Sequence, residues 1–217
     1  MGKRKIPVDT TPLLECPEDM RIGAQLILNG EYDVPVNFRK PPVICDIGAN
    51  VGSFALWASK RWPGCTLHCY EPMPANFYYL RRNVANLKLN VTVYTVAVTT
   101  GNFRMMYVGQ NNCGECSFYN LGEQQLDKLV DVFTCHPKQL PACDILKLDT
   151  EGCELDILKA LKQYPPVIVF EYHRDSDRVD IDALLTKRGY RILQLRSPCL
   201  HRGTVKYVFI EKQRGGG

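Results

Sequence analysis

The chain has 217 residues, 45% of them hydrophobic, which suits one domain with a real core and is short for two. A formal charge of +4 is milder than a dedicated nucleic-acid binder carries, and a solvated surface accounts for it. No run of 18 apolar residues is present, which argues against a membrane-spanning helix.

Residues 1–40 precede the first strand-like run. The opening MGKRKIPVDTTPLLECPEDM has basic residues with no apolar stretch after them, so it does not read as a secretory signal. Further on, RIGAQLILNGEYDVP predicts a short helix that would lie as a lid over a cleft. PPVICDIG (41–48) then reads as a strand, SFALWASKRW (53–62) as a helix, CTLHCYEP (65–72) as a second strand, and ANFYYLRRNVANL (75–87) as a helix. VTVYTVAV (91–98) is the third strand. The segment 101–142 breaks this rhythm with Gly, Asn and Cys and short β-like pieces, and reads as an irregular insert near the substrate.

Rhythm resumes with a strand at 143–149, a helix at 153–163, a strand at 166–172 and a helix at 178–188. Two closing strands, 190–195 and 204–210, are joined by RSPCLHRG as an antiparallel pair, and 213–217 form a flexible tail. Strands alternating with helices of this length mean βαβ units. The expected fold over 41–212 is therefore α/β and Rossmann-like: a seven-stranded, mostly parallel sheet, helices on both faces, and a C-terminal antiparallel hairpin. That is the architecture of class I methyltransferases. Cys45, Cys69 and Cys143, three of ten cysteines, fall inside apolar strands, where a reduced thiol behaves as a small hydrophobe. A reduced, cytoplasmic protein is the expectation.

In open α/β sheets ligands bind beyond the carboxyl ends of the strands. The first strand ends in DIGANVGS, which contributes Asp46, Gly48, Asn50, Gly52 and Ser53. Gly48 and Gly52 permit a tight turn and close approach of backbone to ligand, and the helix amides that follow favour an anionic group. A dinucleotide fingerprint would carry glycine where Asn50 stands. The asparagine crowds a pyrophosphate but suits a ligand joining an amino acid to a nucleoside. Glu71 ends the second strand before Pro72, placed to accept hydrogen bonds from both ribose hydroxyls, and the adenine would lie near Ala97. S-adenosylmethionine fits this set.

Taken in order, DIGANVGSFALWASK, YEPMPANFYYLRRNV, CDILKLDTEGCELDILKAL and VIVFEYH resemble the FkbM-type S-adenosylmethionine-dependent methyltransferases over roughly residues 29–195. The resemblance implies a class I fold and O-methylation of a hydroxyl on a sugar, glycolipid or natural product.

CDILKLDTEGCE (143–154) carries the candidate chemistry. On a strand, Lys147 and Asp149 share a face and can pair, which limits the cost of burying either charge. Asp149 would border the sulfonium and accept a proton or hydrogen bond from the incoming hydroxyl. Glu171 would emerge beside it from VIVFEYH, and His173 is a second candidate base. Glu154, in the first turn of a helix, is explained by the helix dipole.

Several alternatives remain open at this point. Asp149 and Glu171 could hold Mg²⁺, though nothing completes the ligand set. Cys113, Cys116, Cys135, His136, Cys199 and His201 could hold zinc, on the weak evidence of one C-x-x-C. Lys147, Asp149 and Glu171 loosely resemble the set of RNA ribose 2′-O-methyltransferases. Lys3–Arg4–Lys5, Arg81–Arg82, Arg174, Arg178 and Lys187–Arg188 would then be phosphate contacts. A non-catalytic partner that keeps the fold is the remaining option.

Overall fold

The computed structural model describes residues 14–86, 89–101, 105–108, 116–117, 128–199 and 202–209. Lys3–Arg4–Lys5, Cys113, His201 and the tail 213–217 lie outside these residues. In chain order the elements begin with α1 (Arg21–Leu28), β1 (Val43–Ile47), α2 (Ser53–Arg61), β2 (Thr66–Tyr70), α3 (Pro74–Asn86), β3 (Val91–Tyr94) and β4 (Ala97–Val98). The middle contributes β5 (Met105–Val108), β6 (Cys116–Ser117), β7 (Lys128–Asp131) and β8 (Thr134–Cys135). The last part runs β9 (Ile145–Leu148), α4 (Glu154–Ala160), β10 (Val167–Tyr172), α5 (Asp175–Lys187), β11 (Tyr190–Cys199) and β12 (Arg202–Phe209).

The main sheet has seven strands in the order β11-β12-β10-β9-β1-β2-β3. Strands β3, β2, β1, β9 and β10 run parallel, whereas β12 is antiparallel to both β10 and β11. This is the Rossmann-like class I fold with its terminal hairpin. The order reverses at β1, whose neighbours are β2 and β9, so the carboxyl ends of those three strands flank the switch point where α/β sheets take ligands.

Side-chain alternation decides how the faces are filled. Cys45, Leu146, Leu148, Ile168 and Phe170 pack with Ile157, Leu158, Ile181 and Leu185 of α4 and α5. Their neighbours Ile44, Ile145, Val167 and Val169 pack on the other face with Phe54, Ala55, Ala58 and Leu80 of α2 and α3. Both faces are covered, which is why the strands read as continuous apolar runs. Each fully buried aliphatic side chain contributes about 1.5–3 kcal/mol. The same alternation puts Asp46 and Lys147, direct neighbours across β1 and β9, on the α2 side in the dry interior.

Several boundaries differ from the sequence expectation: α4 ends at Ala160, short of 163, and α5 begins at Asp175, ahead of 178. The third strand leaves the sheet after Tyr94, whose ring stacks on Tyr70 at 4.6 Å. The chain then forms β4, which pairs with β8, and Ala97 N donates to Phe133 O at 2.8 Å. The hairpin strands run closer to their turn than expected, with register shifts between Ile192 and Gln194 and between Arg196 and Cys199. Pro198, which has no N–H for the ladder, lies within the second irregularity. Within the insert, β5, β6 and β7 form a separate three-stranded sheet, and α1 packs on α2. No helix among the described residues is long and apolar enough to cross a membrane.

Candidate active site

The carboxyl ends of β1, β2 and β9, together with β4, enclose a hollow of about 570 Å³ counting its open mouth. Gly48, Asn50, Glu71, Pro72, Ala97 and Asp149 all line it. Sequence reasoning missed Tyr70, Met73, Asn76, Thr150 and Cys153, which line it as well.

Close backbone approach explains Gly48. Its φ is +77°, and a Cβ there would sit 1.8 Å from the carbonyl oxygen of Asp149. The N–H groups of Gly48 and Ala49 both donate to Tyr70 O at 3.0 Å, so the β1 turn is stitched to β2 and pressed against β9. Asn50 follows with φ 51°, a left-handed conformation that asparagine tolerates better than most residues. Its Oδ1 is buried with no hydrogen-bond partner among the described residues.

Glu71 ties this turn to the start of α3. One carboxyl oxygen accepts from Asn50 N at 2.8 Å; the other accepts from Met73 N at 2.9 Å and Asn76 Nδ2 at 3.3 Å. Burial pushes its pKa up to about 7, even though those donors favour the charged form.

Asp46, Gly52 and Ser53 lie behind the hollow and do not line it. Gly52 is the left-handed N-cap of α2 (φ 92°), with Leu80 3.0 Å from where a Cβ would be, and Ser53 is the buried first residue of that helix. Asp46 is fully buried and its Oδ1 lies 3.1 Å from Lys147 Nζ. The ammonium also donates to Gly48 O at 2.6 Å and lies 3.8 Å from Asp149 Oδ2. Burial would discharge Lys147, but Asp46 and Asp149 outweigh it and hold its pKa above the ordinary lysine value. Burial likewise raises Asp46, with Lys147 pulling the other way.

A second cluster lies at the ends of β9 and β10. His173 Nε2 is 3.0 Å from Glu151 Oε2 and 3.9 Å from Asp149 Oδ1, and its Nδ1 is 3.6 Å from Glu154 Oε1. Burial opposes charge on this ring, yet Glu151 and Glu154 prevail and raise its pKa to about 11. At neutral pH the imidazole is protonated, a state that donates rather than accepts. Glu154 also accepts from Thr150 N at 2.8 Å and Gly152 N at 3.1 Å. It thereby braces the loop in which Glu151 takes φ 53°. Tyr32, ahead of the sheet, completes the cluster: its hydroxyl lies 3.1 Å from Asp149 Oδ2 and 3.4 Å from Glu171 Oε2.

Asp149, Glu171 and His173 bring ligand atoms within 4.8 Å of one another. A hard cation such as Mg²⁺ prefers oxygen ligands. Here one of the three donors is an imidazole nitrogen, and Tyr32 already engages both carboxylates. The donor set is a poor match for Mg²⁺. Of the residues considered for zinc, the side chains of Cys116 and Cys199 are not described. His136 Nδ1 accepts from Lys138 N at 3.1 Å as part of a capping box, and burial raises the Cys135 thiol to about 11.

Comparison with known proteins agrees with this geometry. The family model "Methyltransferase FkbM domain" matches residues 46–192. "Methyltransferase sdnD" from Sordaria araneosa is 27% identical over 207 residues, which is 76% of this chain and 80% of that one. "2-O-methyltransferase NoeI" from Sinorhizobium fredii is 27% identical over 161 residues, 64% of this chain and 66% of that one. Among solved structures, methyltransferase FkbM from Methylobacillus flagellatus superposes with a TM-score of 0.56 at 19% identity, over 81% of this chain and 45% of that one. With the family domain covering every strand end that builds the hollow, the chain belongs to the FkbM methyltransferase family and is a methyltransferase.

Proposed function

We propose that the chain transfers the methyl group of S-adenosylmethionine to a hydroxyl oxygen of a sugar, glycolipid or small natural product. The observation that carries this reading is the single hollow shared by Gly48, Asn50, Glu71, Ala97 and Asp149. The unpartnered Asn50 Oδ1 suits a donor such as the cofactor's α-ammonium. Glu71 has four acceptor positions, of which the protein fills three, leaving room for a ribose hydroxyl. Met73, Val96, Ala97 and Val98 offer an apolar wall for the adenine.

The cofactor, when bound, supplies an activated methyl on a positively charged sulfur. The chain's own contribution is to hold that ligand and the acceptor in line, and alignment of this kind is worth ~7–11 kcal/mol. Asp149, bordering the hollow, would receive the acceptor's hydroxyl hydrogen, a contribution of roughly 10²–10⁴-fold. Lys147 and His173, both cationic, offset part of the charge that Asp46, Asp149, Glu151, Glu154 and Glu171 concentrate there. The remaining negative charge favours a sulfonium. The name of the relative NoeI supports oxygen as the target. The region 101–142 and the N-terminal segment would select the acceptor from outside the cofactor hollow.

RNA is the weaker acceptor. Lys147, the lysine that reading needs, is 2% exposed and already held by Asp46 and Gly48. Arg82, Arg174 and Arg178 pair with Glu15, Asp177 and Asp182. The test is calorimetry with S-adenosylhomocysteine, followed by a mass-shift screen with labelled cofactor against separate pools of glycans, hydroxylated metabolites and RNA. Binding plus a labelled glycan or metabolite is the expected result. Label in RNA alone would overturn the acceptor class, and no binding would overturn the cofactor.

A further inference from the structure

Tyr32 comes from the segment ahead of the matched family domain, yet it touches the centre of the site. Its side chain is buried, its ring meets Phe54 edge-on at 5.7 Å, and Lys147 Nζ lies 5.5 Å from the ring centroid. The flanking backbone is pinned from other elements. Lys206 of β12 donates to Asp33 O, and Arg61 of α2 pairs with the Asp33 carboxylate at 3.0 Å and donates to Val34 O. A phenol anchored this firmly does not drift away from Asp149 and Glu171.

We propose that Tyr32 is a positioning residue that clamps Asp149 and Glu171 together beside the hollow, and so makes the site prefer a cationic sulfur over a neutral one. The inference rests on the cofactor reading above. Two carboxylates this close repel each other, and the repulsion is relieved if one takes a proton and loses its charge. The Tyr32 hydroxyl, one donor facing both, removes the need for that proton. Burial, then Asp149 and Glu171, push the Tyr32 pKa well above its usual value, so the phenol stays a donor. The other charged groups around the pair are Asp46 and Lys147 from β1 and β9, His173 after β10 with Glu151 and Glu154 against it, Glu31 and Asp33 beside Tyr32, Arg61 of α2, and Lys206 of β12, whose pKa burial lowers to about 8; all are common to the wild type and Tyr32→Phe. Both carboxylates then remain available to a sulfonium.

S-adenosylmethionine and S-adenosylhomocysteine separate this role from simple packing, because they share every contact except the charged methylsulfonium. Titration calorimetry of the full chain and of Tyr32→Phe, from about pH 8 to about pH 6, reads the ratio of the two affinities. Glu71, at about 7, and Lys206, at about 8, also titrate in this window, but they do so in both proteins, so the wild-type ratio is the reference at each pH. In the wild type the preference for the sulfonium holds across the window. In Tyr32→Phe it falls as pH drops, by about tenfold at the acid end, the worth of one hydrogen bond to an ionised carboxylate. In a Glu171→Gln background the like-charged pair is gone, and Tyr32→Phe changes the ratio by less than about twofold.

Glu171→Gln alone carries the test if the phenol proves necessary for folding. It halves the pair and lowers the sulfonium preference at every pH. A parallel loss of both ligands in Tyr32→Phe, or a ratio that does not move, would overturn the role of Tyr32 and leave the cofactor reading intact. Failure of both ligands to bind the wild type would overturn the two together.

Discussion

The two halves of the site are built on different principles. Around β1 and β2, backbone amides and one acid build the proposed cofactor side: Gly48 and Ala49 donate to Tyr70 O, and Glu71 gathers donors from Asn50, Met73 and Asn76. Around β9 and β10, side-chain charges build the proposed acceptor side, with Lys147, Asp149, Glu151, Glu171 and His173 balanced against one another and against Tyr32. The first half is a shape held by local turns. The second is an electrostatic arrangement in which each group depends on partners from distant parts of the chain. Damage to the first should cost folding and binding, and damage to the second should cost turnover.

Gly48→Ala tests the first half most severely. The added Cβ would overlap the Asp149 carbonyl at 1.8 Å, and alanine is also strained at φ +77°. Because Gly48 is held to β2 through Tyr70 O, the overlap can be relieved only by parting β1 from β9. The expected outcome is a fall of ~10 °C or more in Tm with no measurable S-adenosylhomocysteine binding, read by calorimetric unfolding and titration. Retained binding would show that the strand ends can separate without losing the hollow.

Asp149→Asn tests the second half. The amide keeps the size of the carboxylate and loses its charge and its capacity to take a proton. Turnover with the acceptor identified by the screen should fall roughly 10²–10⁴-fold. S-adenosylhomocysteine affinity should change by less than about threefold, because the neutral sulfur gains little from the charge. A variant with a wild-type rate would move the proton-accepting role elsewhere in the cluster.

The same contrast explains what the sequence made legible. Gly48, Asn50 and Glu71 belong to strand–turn–helix units, so their places follow from local pattern, and all of them line the hollow. Asp46 was expected to face ligand and instead pairs with Lys147, a contact set by the β1–β9 register. Local pattern carries no register between strands so far apart in the chain. Tyr32 lies 117 residues from Asp149, and its only local sign is a tyrosine between two acids in GEYDVP. The charge on His173 was also out of reach, because it depends on Glu151 and Glu154 closing around the ring. In the third strand, apolar alternation continues through Val98 although the backbone leaves the sheet after Tyr94. Periodicity reports which side chains are buried, not which sheet buries them.

The smallest effect, and the one that sharpens the contrast further, concerns Glu71 and pH. Its pKa in the folded chain, about 7, exceeds the ordinary glutamate value of about 4.5, and burial is the main cause. A carboxyl whose folded pKa is raised stabilises the fold in its protonated form. That contribution is full below about pH 4.5 and is lost as pH rises through about 7. Ligand binding runs the opposite way, because the ionised carboxylate is the better acceptor for ribose hydroxyls. Wild-type affinity for S-adenosylhomocysteine should therefore rise several-fold between about pH 6 and about pH 8, while stability of the free chain falls slightly over the same range. In Glu71→Gln both slopes should flatten, and affinity at the alkaline end should drop about tenfold with the loss of a charge-assisted hydrogen bond. If the wild-type affinity were flat with pH, the ribose would have to be held by neutral donors and acceptors. The cofactor half would then owe its binding to backbone shape alone.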